Sequence, residues 1–384
     1  MTPAARLQAA IEVLDAFVAG DAAERALTNW ARGHRFAGSG DRAAIRDLVY
    51  HALRRLRSLA VRGGAHDGRG LMLGWCHEQG IDPASLFGAD RHAPAPLAAG
   101  EGVARQPSPD DLLDLPDWLI TRLRADLGVD LPRVATALRD RAPVFLRANP
   151  LRGDPAAAID ALAADGVEAV FSPDVKNALQ VVSGERKISS GHAYLEGLVE
   201  VQDLSSQAAV MALPDVAGLR VLDYCAGGGG KALALAARGA QVHAHDISAA
   251  RLAPLRDRAH RAGADVALIA PGQVSGQFDL VVVDAPCSGA GTWRRTPEAK
   301  WRLTPDRLAE LVATQAEVLR QAAGHVAPGG QLAYLTCSLL ADENESQISV
   351  LQSDPQWRTD DVRRWLPQIG GGDGFFLARA TRLG

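Results

Sequence analysis

Leu219-Arg220-Val221-Leu222-Asp223-Tyr224-Cys225-Ala226-Gly227-Gly228-Gly229-Gly230-Lys231 is the stretch on which the fold turns. An apolar run meets a polar tip and four glycines, and a helical pattern then covers Lys231–Arg238. This order predicts a strand, a tight loop and a helix. Further apolar runs fall at Val242–Ala244, Val266–Ile269, Leu280–Val283 and Leu332–Leu335, and helical patterns over Ser248–Ala262 and Asp306–His325 separate most of them. Alternation of this kind predicts an α/β, Rossmann-like, doubly wound parallel sheet. Ligands in such sheets bind beyond the carboxyl ends of the strands.

The glycine loop is neither of two common phosphate loops. A P-loop needs Gly where Cys225 stands and Ser or Thr where Ala232 stands. A dinucleotide fingerprint would place its last Gly at Ala232 or Leu233. The second strand ends in Asp246, about twenty residues on, where an acid can accept hydrogen bonds from both ribose hydroxyls of an adenosine. A glycine loop and an acidic tip without a diphosphate fingerprint fit S-adenosylmethionine better than NAD. A Gly-rich turn with a helix-capping Asp is the plainer alternative.

Two more strand tips carry cysteine: Asp284-Ala285-Pro286-Cys287-Ser288-Gly289 and Thr336-Cys337-Ser338. A lone Cys at a strand end is usually a small buried hydrophobe. Two beside a cofactor loop, one flanked by Asp284, suggest thiolate chemistry. Pyrimidine C5 is a poor nucleophile until C6 is attacked. A thiolate added at C6 makes C5 enamine-like, a protonated carboxyl such as Asp284 can polarise N3, and a second thiol can assist release.

These residues resemble the RsmB/Sun family of RNA 5-methylcytosine methyltransferases. The similarity runs in family order through Arg147-Ala148-Asn149-Pro150, Gln202–Gln207, Asp223–Lys231, Asp284–Gly289, Gly291–Trp301, Thr336-Cys337-Ser338 with Glu343-Asn344-Glu345, and Asp373-Gly374-Phe375-Phe376. It implies a class I S-adenosylmethionine-dependent methyltransferase domain over 206–384, preceded by a small α+β RNA-binding subdomain over 117–205. Before these it implies a linker over 85–116 and an all-α, NusB-like RNA-binding domain over 1–84, in the ribosomal small-subunit methyltransferase B branch. By resemblance Cys337 attacks C6 and Cys287 promotes release, an order opposite to that of DNA 5-methylcytosine enzymes. Asp284 joins them in catalysis. Cys225, Ala226, Gly227, Gly228, Gly229, Gly230, Lys231, Asp246 and Asp284 line the cofactor pocket, and Arg147, Arg294, Arg295 and Lys300 contact RNA. One departure stands out: after the third strand the family carries an acid against the adenine, whereas this chain reads Ala270-Pro271-Gly272-Gln273.

Composition agrees with such an enzyme without requiring it. The 384 residues hold 41 basic and 45 acidic side chains, a net charge of −4, so the molecule is no general polyanion glue. Residues 1–63 nevertheless hold ten Arg, no Lys and six acids. Over 45–56 a helical pattern puts Arg46, Tyr50, Arg54 and Arg57 on one face, either solvated or turned to phosphates. Five prolines between 94 and 116 mark the connector. With four Cys and no C-x-x-C pair, a zinc ribbon is not expected, nor any other metal site. Acids inside the N-terminal apolar pattern argue against a signal peptide, and no long apolar run suggests a membrane span. A cytoplasmic, monomeric enzyme with reduced thiols is expected. The leading expectation is methylation of cytosine C5 in small-subunit (16S) ribosomal RNA. The same chemistry on transfer RNA, or a non-catalytic RNA-binding protein with a degenerate methyltransferase domain, are the alternatives.

Overall fold

A computed structural model describes residues 1–384, which fall into two units. The first comprises Met1–Arg141 and Trp293–Leu303, the second Ala142–Thr292 and Thr304–Gly384. No helix is long and apolar enough to cross a membrane.

The first unit is helical. Helices Pro3–Val18, Ala23–Gly33, Ser39–Arg54, Leu56–Gly63 and Gly68–Glu78 enclose a core that includes Leu7, Leu14, Ile45, Leu53, Leu59 and Leu71. The first helix starts at a Thr2 cap with Pro3 in its first turn, a favoured arrangement. Gly63 and Gly74 are required by close packing. A Cβ on either would come within 2.0 Å of a neighbouring carbonyl oxygen. The Pro-rich connector is packed rather than loose. Phe87, Leu113 and Leu115 are buried, and Arg69 holds the Glu101 carboxylate and the carbonyls of Ala95 and Pro96. Helices Asp117–Leu127 and Leu131–Arg139, assigned to the α+β subdomain from sequence, group by packing with this unit.

The second unit holds two sheets. The smaller has order β2-β3-β1-β4, all neighbours antiparallel, from β1 (Phe145–Ala148), β2 (Glu168–Phe171), β3 (Ala178–Ser183) and β4 (Val199–Val201). Helix Pro155–Ala164 packs on it through Ala158 and Leu162. The larger sheet contains β5 (Arg220–Asp223), β6 (Gln241–His245), β7 (Val266–Ile269), β8 (Phe278–Asp284), β9 (Val326–Thr336), β10 (Trp357–Trp365) and β11 (Phe375–Arg382). Its order is β10-β11-β9-β8-β5-β6-β7. Strands β5–β9 are parallel, β11 is added antiparallel beside β9, and β10 at the edge is antiparallel to β11 and so runs with the other five. The expected doubly wound sheet is present, in the order of class I methyltransferases. The order reverses beside β5, so β5, β6 and β8 bring the glycine loop, Asp246 and Asp284 to one edge.

Candidate active site

The glycine loop is held at both ends. Tyr224 N–H donates to Val282 O on β8, and Ala226 N–H donates to His245 O on β6. Gly229 has φ +84°, and a Cβ there would lie 2.1 Å from Leu255 Cδ1. That backbone and that packing together demand glycine. Arg258 braces the loop by donating to Gly228 O while pairing with the buried Glu200.

Lys231, the second residue of the following helix, donates from Nζ to Asp284 Oδ2 at 2.6 Å and lies 5.1 Å from the Phe375 ring centroid. Burial alone would lower its pKa. The charge and hydrogen bond of Asp284, with Asp223 and Cys337, outweigh that and raise it. Asp284 therefore accepts from an ammonium, where the sequence reading has it donating to a base. Its side chain stays 36% exposed and open to substrate. Beneath them Asp223 is wholly buried, and neither oxygen makes a full hydrogen bond, although the Ala232 N–H gives it a weak one. Burial first, then the Asp284 charge, raises it to about 7.

The cysteines converge. Cys287 Sγ and Cys337 Sγ lie 3.4 Å apart, both part-exposed. The hydrogen bond with Cys337, then burial, then the charges of Cys337 and Glu343 push the Cys287 thiol well up. Cys337 lies within electrostatic range of the Lys231 ammonium. The third cysteine near the loop, Cys225, is raised by burial and by surrounding carboxylates, so it is a poor thiolate.

Glu343, which the sequence reading quoted within a motif but gave no role, ties the two cysteine loops together. It is fully buried. Oε1 accepts from Ser288 N at 2.7 Å and Gln315 Nε2 at 3.0 Å, and Oε2 accepts from Ser288 Oγ at 2.5 Å and from Ser338 Oγ. Asn344 adds a bond from Nδ2 to Ser338 O and receives one from Thr336 Oγ1. The loop after β8 is clasped to β9 again where Gly291 N donates to Cys337 O and Gly291 O accepts from Gly374 N, each at 2.9 Å. An acid followed by Asn, a few residues beyond a cysteine strand tip, was the available signal.

Other expected site residues stand differently. Asp246 is buried at its strand tip. Its oxygens accept from Gly227 N and Ser248 N, each at 2.9 Å, its side chain is 2% exposed, and these bonds brace the loop. Arg147 is buried, donating from Nε to Gln202 Oε1 at 2.8 Å, and burial lowers it to about 10. Arg294 and Lys300 are buried in the first unit, out of reach of a phosphate, and only Arg295 of the four expected RNA contacts is exposed. Lys300 Nζ donates to Arg54 O, Trp301 Nε1 to Leu53 O, and Arg54 Nε to Arg294 O. Of the face read as Arg46, Tyr50, Arg54 and Arg57, the last two are taken up within the fold, Arg57 pairing with Asp111 and Asp117. Arg46 and Tyr50 hold Glu24, and Arg46 stays exposed. The segment Ala270–Gln273 is an exposed turn, with no acid there.

The family model for 16S rRNA methyltransferase RsmB/F matches residues 210–380, and a ferredoxin-like domain model of RsmF/B-like methyltransferases matches 115–186. This chain belongs to the RsmB/F methyltransferase family. That family's cofactor is S-adenosylmethionine. Ribosomal RNA small subunit methyltransferase B of Klebsiella pneumoniae is 34% identical over 288 residues, covering 70% of this chain and 66% of the relative. The namesake from Photorhabdus laumondii is 32% identical over 285 residues, with the same coverage. The chain thus matches just under two thirds of these relatives' length. Among solved structures, a methyltransferase homolog protein from Pyrococcus horikoshii is 25% identical with a TM-score of 0.62, over 73% of this chain and all of that one. PH0851 covers 99% of both chains at 24% identity and a TM-score of 0.75, a likeness of fold. In the family frame the site fits its cofactor. Glycines allow close backbone approach, and Asp223 is a buried acid lacking a full partner, suited to a cationic ligand. No group of three or more His, Cys, Asp or Glu side chains is placed to hold a metal ion.

Proposed function

We propose that this protein methylates C5 of cytosine in RNA, with small-subunit ribosomal RNA as its substrate, through a transient bond from Cys337 to C6. The observation that carries this reading is the pair of sulfurs 3.4 Å apart, with the Lys231–Asp284 pair beside them. The names of the curated relatives support the ribosomal substrate.

Cys337, as its thiolate, attacks C6. Charge then builds on the ring, and the Lys231–Asp284 pair stabilises it and delivers a proton to N3. Bound S-adenosylmethionine supplies the methyl group. Asp223, Lys231 and the backbone of Gly227–Gly230 would hold it, with Asp246 keeping the loop in shape. A base, water or a nearby side chain, takes the C5 proton, N3 gives its proton back to the Lys231–Asp284 pair, and the C6–sulfur bond breaks to return the Cys337 thiolate. Cys287, in contact with that sulfur, promotes this last step. The target base is unstacked, because attack needs its open face.

The test is a denaturing gel after incubation with S-adenosylmethionine and small-subunit ribosomal RNA. Cys337→Ala is expected to abolish methylation and leave no adduct. Cys287→Ala is expected to retain a covalent protein–RNA band. A band from Cys337→Ala and none from Cys287→Ala would reverse the two roles. No methyl transfer by the unaltered protein to any RNA would leave the non-catalytic alternative.

A further inference from the structure

The helical unit carries a basic cleft that the active site does not use. It lies between helices Ala23–Gly33 and Ser39–Arg54, has a volume of about 450 Å³, and is lined by Arg32, Arg35, Arg42, Arg46 and Trp30 with no carboxylate in its wall. Arg46 pairs with Glu24 at its margin, and Arg42 Nε donates to Ala37 O. Arg32 and Arg35 form no ion pair. Arg32 in the last turn of its helix gains something from the helix dipole. The dipole does not account for the other three. Guanidinium groups gathered at one concave surface concentrate positive potential, a setting for a polyanion.

An aromatic ladder adjoins the arginines. The Trp30 and His34 rings stack at 4.3 Å with planes 10° apart, and Phe36 meets His34 edge-on at 5.7 Å. Phe36 is 74% exposed. Trp30 belongs to the arginine cleft and also to a neighbouring cleft of about 850 Å³ lined by His34 and Phe36, with Asp15 and with Glu12, which accepts from Trp30 Nε1 at 2.8 Å. A single exposed phenylalanine means little. A phenylalanine that ends a ring stack beside four arginines has the two parts of a single-strand binder, cations for phosphates and a flat face for a base.

We propose that this cleft grips a single-stranded segment of the RNA substrate, with Arg32, Arg35 and Arg42 on successive phosphates and an unpaired base stacked on Phe36. The assignment rests on RNA being the substrate class, and it places a second contact away from the cysteines. A duplex hides its base faces inside the helix and cannot use Phe36. An acidic peptide would satisfy the arginines but not the ring.

The test measures fluorescence anisotropy of a labelled short single-stranded RNA, and of the same sequence as a duplex, with the full chain over a range of salt. Arg32→Ala with Arg35→Ala is expected to weaken single-strand binding about tenfold and to lower the salt slope by about 1 to 2. Phe36→Ala is expected to weaken it about tenfold with the salt slope unchanged. All three residues are exposed, so folding should survive, and unchanged S-adenosylmethionine titrations would verify that. Failure of the unaltered protein to bind that cofactor would count against the methyltransferase reading instead. Unchanged RNA affinity and slope in the variants, equal loss on duplex, or displacement of RNA by polyglutamate at matched charge would each overturn the proposal.

Discussion

Replacing Glu343 by glutamine keeps its size but exchanges an acceptor oxygen for an NH2 group. In the native site all four incoming bonds are donated to the carboxylate. The amide cannot accept from both Ser288 Oγ and Ser338 Oγ at the position of its nitrogen, so one serine must turn and one cysteine loop must shift. Since Cys287 and Cys337 immediately precede those serines in the chain, Glu343→Gln is expected to lower kcat about tenfold or more, with KM for S-adenosylmethionine nearly unchanged. Glu343→Ala would instead leave buried donors without partners, at a cost of about 1–3 kcal/mol each, and should lower Tm as well. Equal kcat for Glu343→Gln and the native protein would remove the positioning role.

At the scale of elements the glycine loop separates two demands that glycine can meet. Gly229 combines φ +84° with the Leu255 clash. Gly229→Ala should therefore cost about 1–2 kcal/mol for its left-handed backbone and about 1–3 kcal/mol for overpacking. Gly230 has an ordinary φ, and the nearest atom to a Cβ there is Gln202 Nε2 at 3.9 Å. Gly230→Ala should leave Tm the same or slightly higher, because it adds a good helix former, yet weaken cofactor binding through loss of close approach. Thermal melts and cofactor titrations on both variants check this. Unaltered affinity in Gly230→Ala would mean the cofactor does not approach there.

The same elements show what was legible. Five parallel strands were readable because each carries a short apolar run set off by loops or helical patterns, and the two cysteine tips followed from those strands. Strands β10 and β11 were not. β10 reads Trp-Arg-Thr-Asp-Asp-Val-Arg-Arg-Trp and lies mostly half-exposed at the sheet edge, so it carries no apolar run, and its partner is chosen by register across the sheet. The arginine face failed for a related reason. Spacing along a helix shows which side chains share a side, but says nothing of Asp111, Asp117 or the Arg294 carbonyl arriving from elsewhere in the chain. Asp246 was placed correctly at its strand tip, yet the neighbouring N–H groups that turn it inward are set by the loop's backbone, not by residue type.

For the molecule as a whole, the segment Trp293–Leu303 matters most, because the chain leaves the catalytic unit there and returns to the helical one. Its anchor, Lys300, is 1% exposed, and its ammonium sits on the Arg54 carbonyl. Burial is the largest influence on it and lowers its pKa to about 7. Asp114 opposes that shift, while Arg139, Arg54 and Arg55 reinforce it. In the unfolded chain Lys300 keeps its proton up to the ordinary lysine range, near 10.5. Between about 7 and that value the unfolded state therefore binds more protons than the folded one, so this residue makes folding more favourable as pH rises. One proton contributes at most about 1.4 kcal/mol per pH unit, and relaxation around a buried group should bring the observed slope below that. Lys300→Met fills the same space without a charge, so the difference in Tm between native and variant proteins should narrow or change sign in the native protein's favour from pH 6 to pH 9. A Tm difference independent of pH across that range would show that Lys300 titrates at its ordinary value and that the anchor carries no electrostatic penalty.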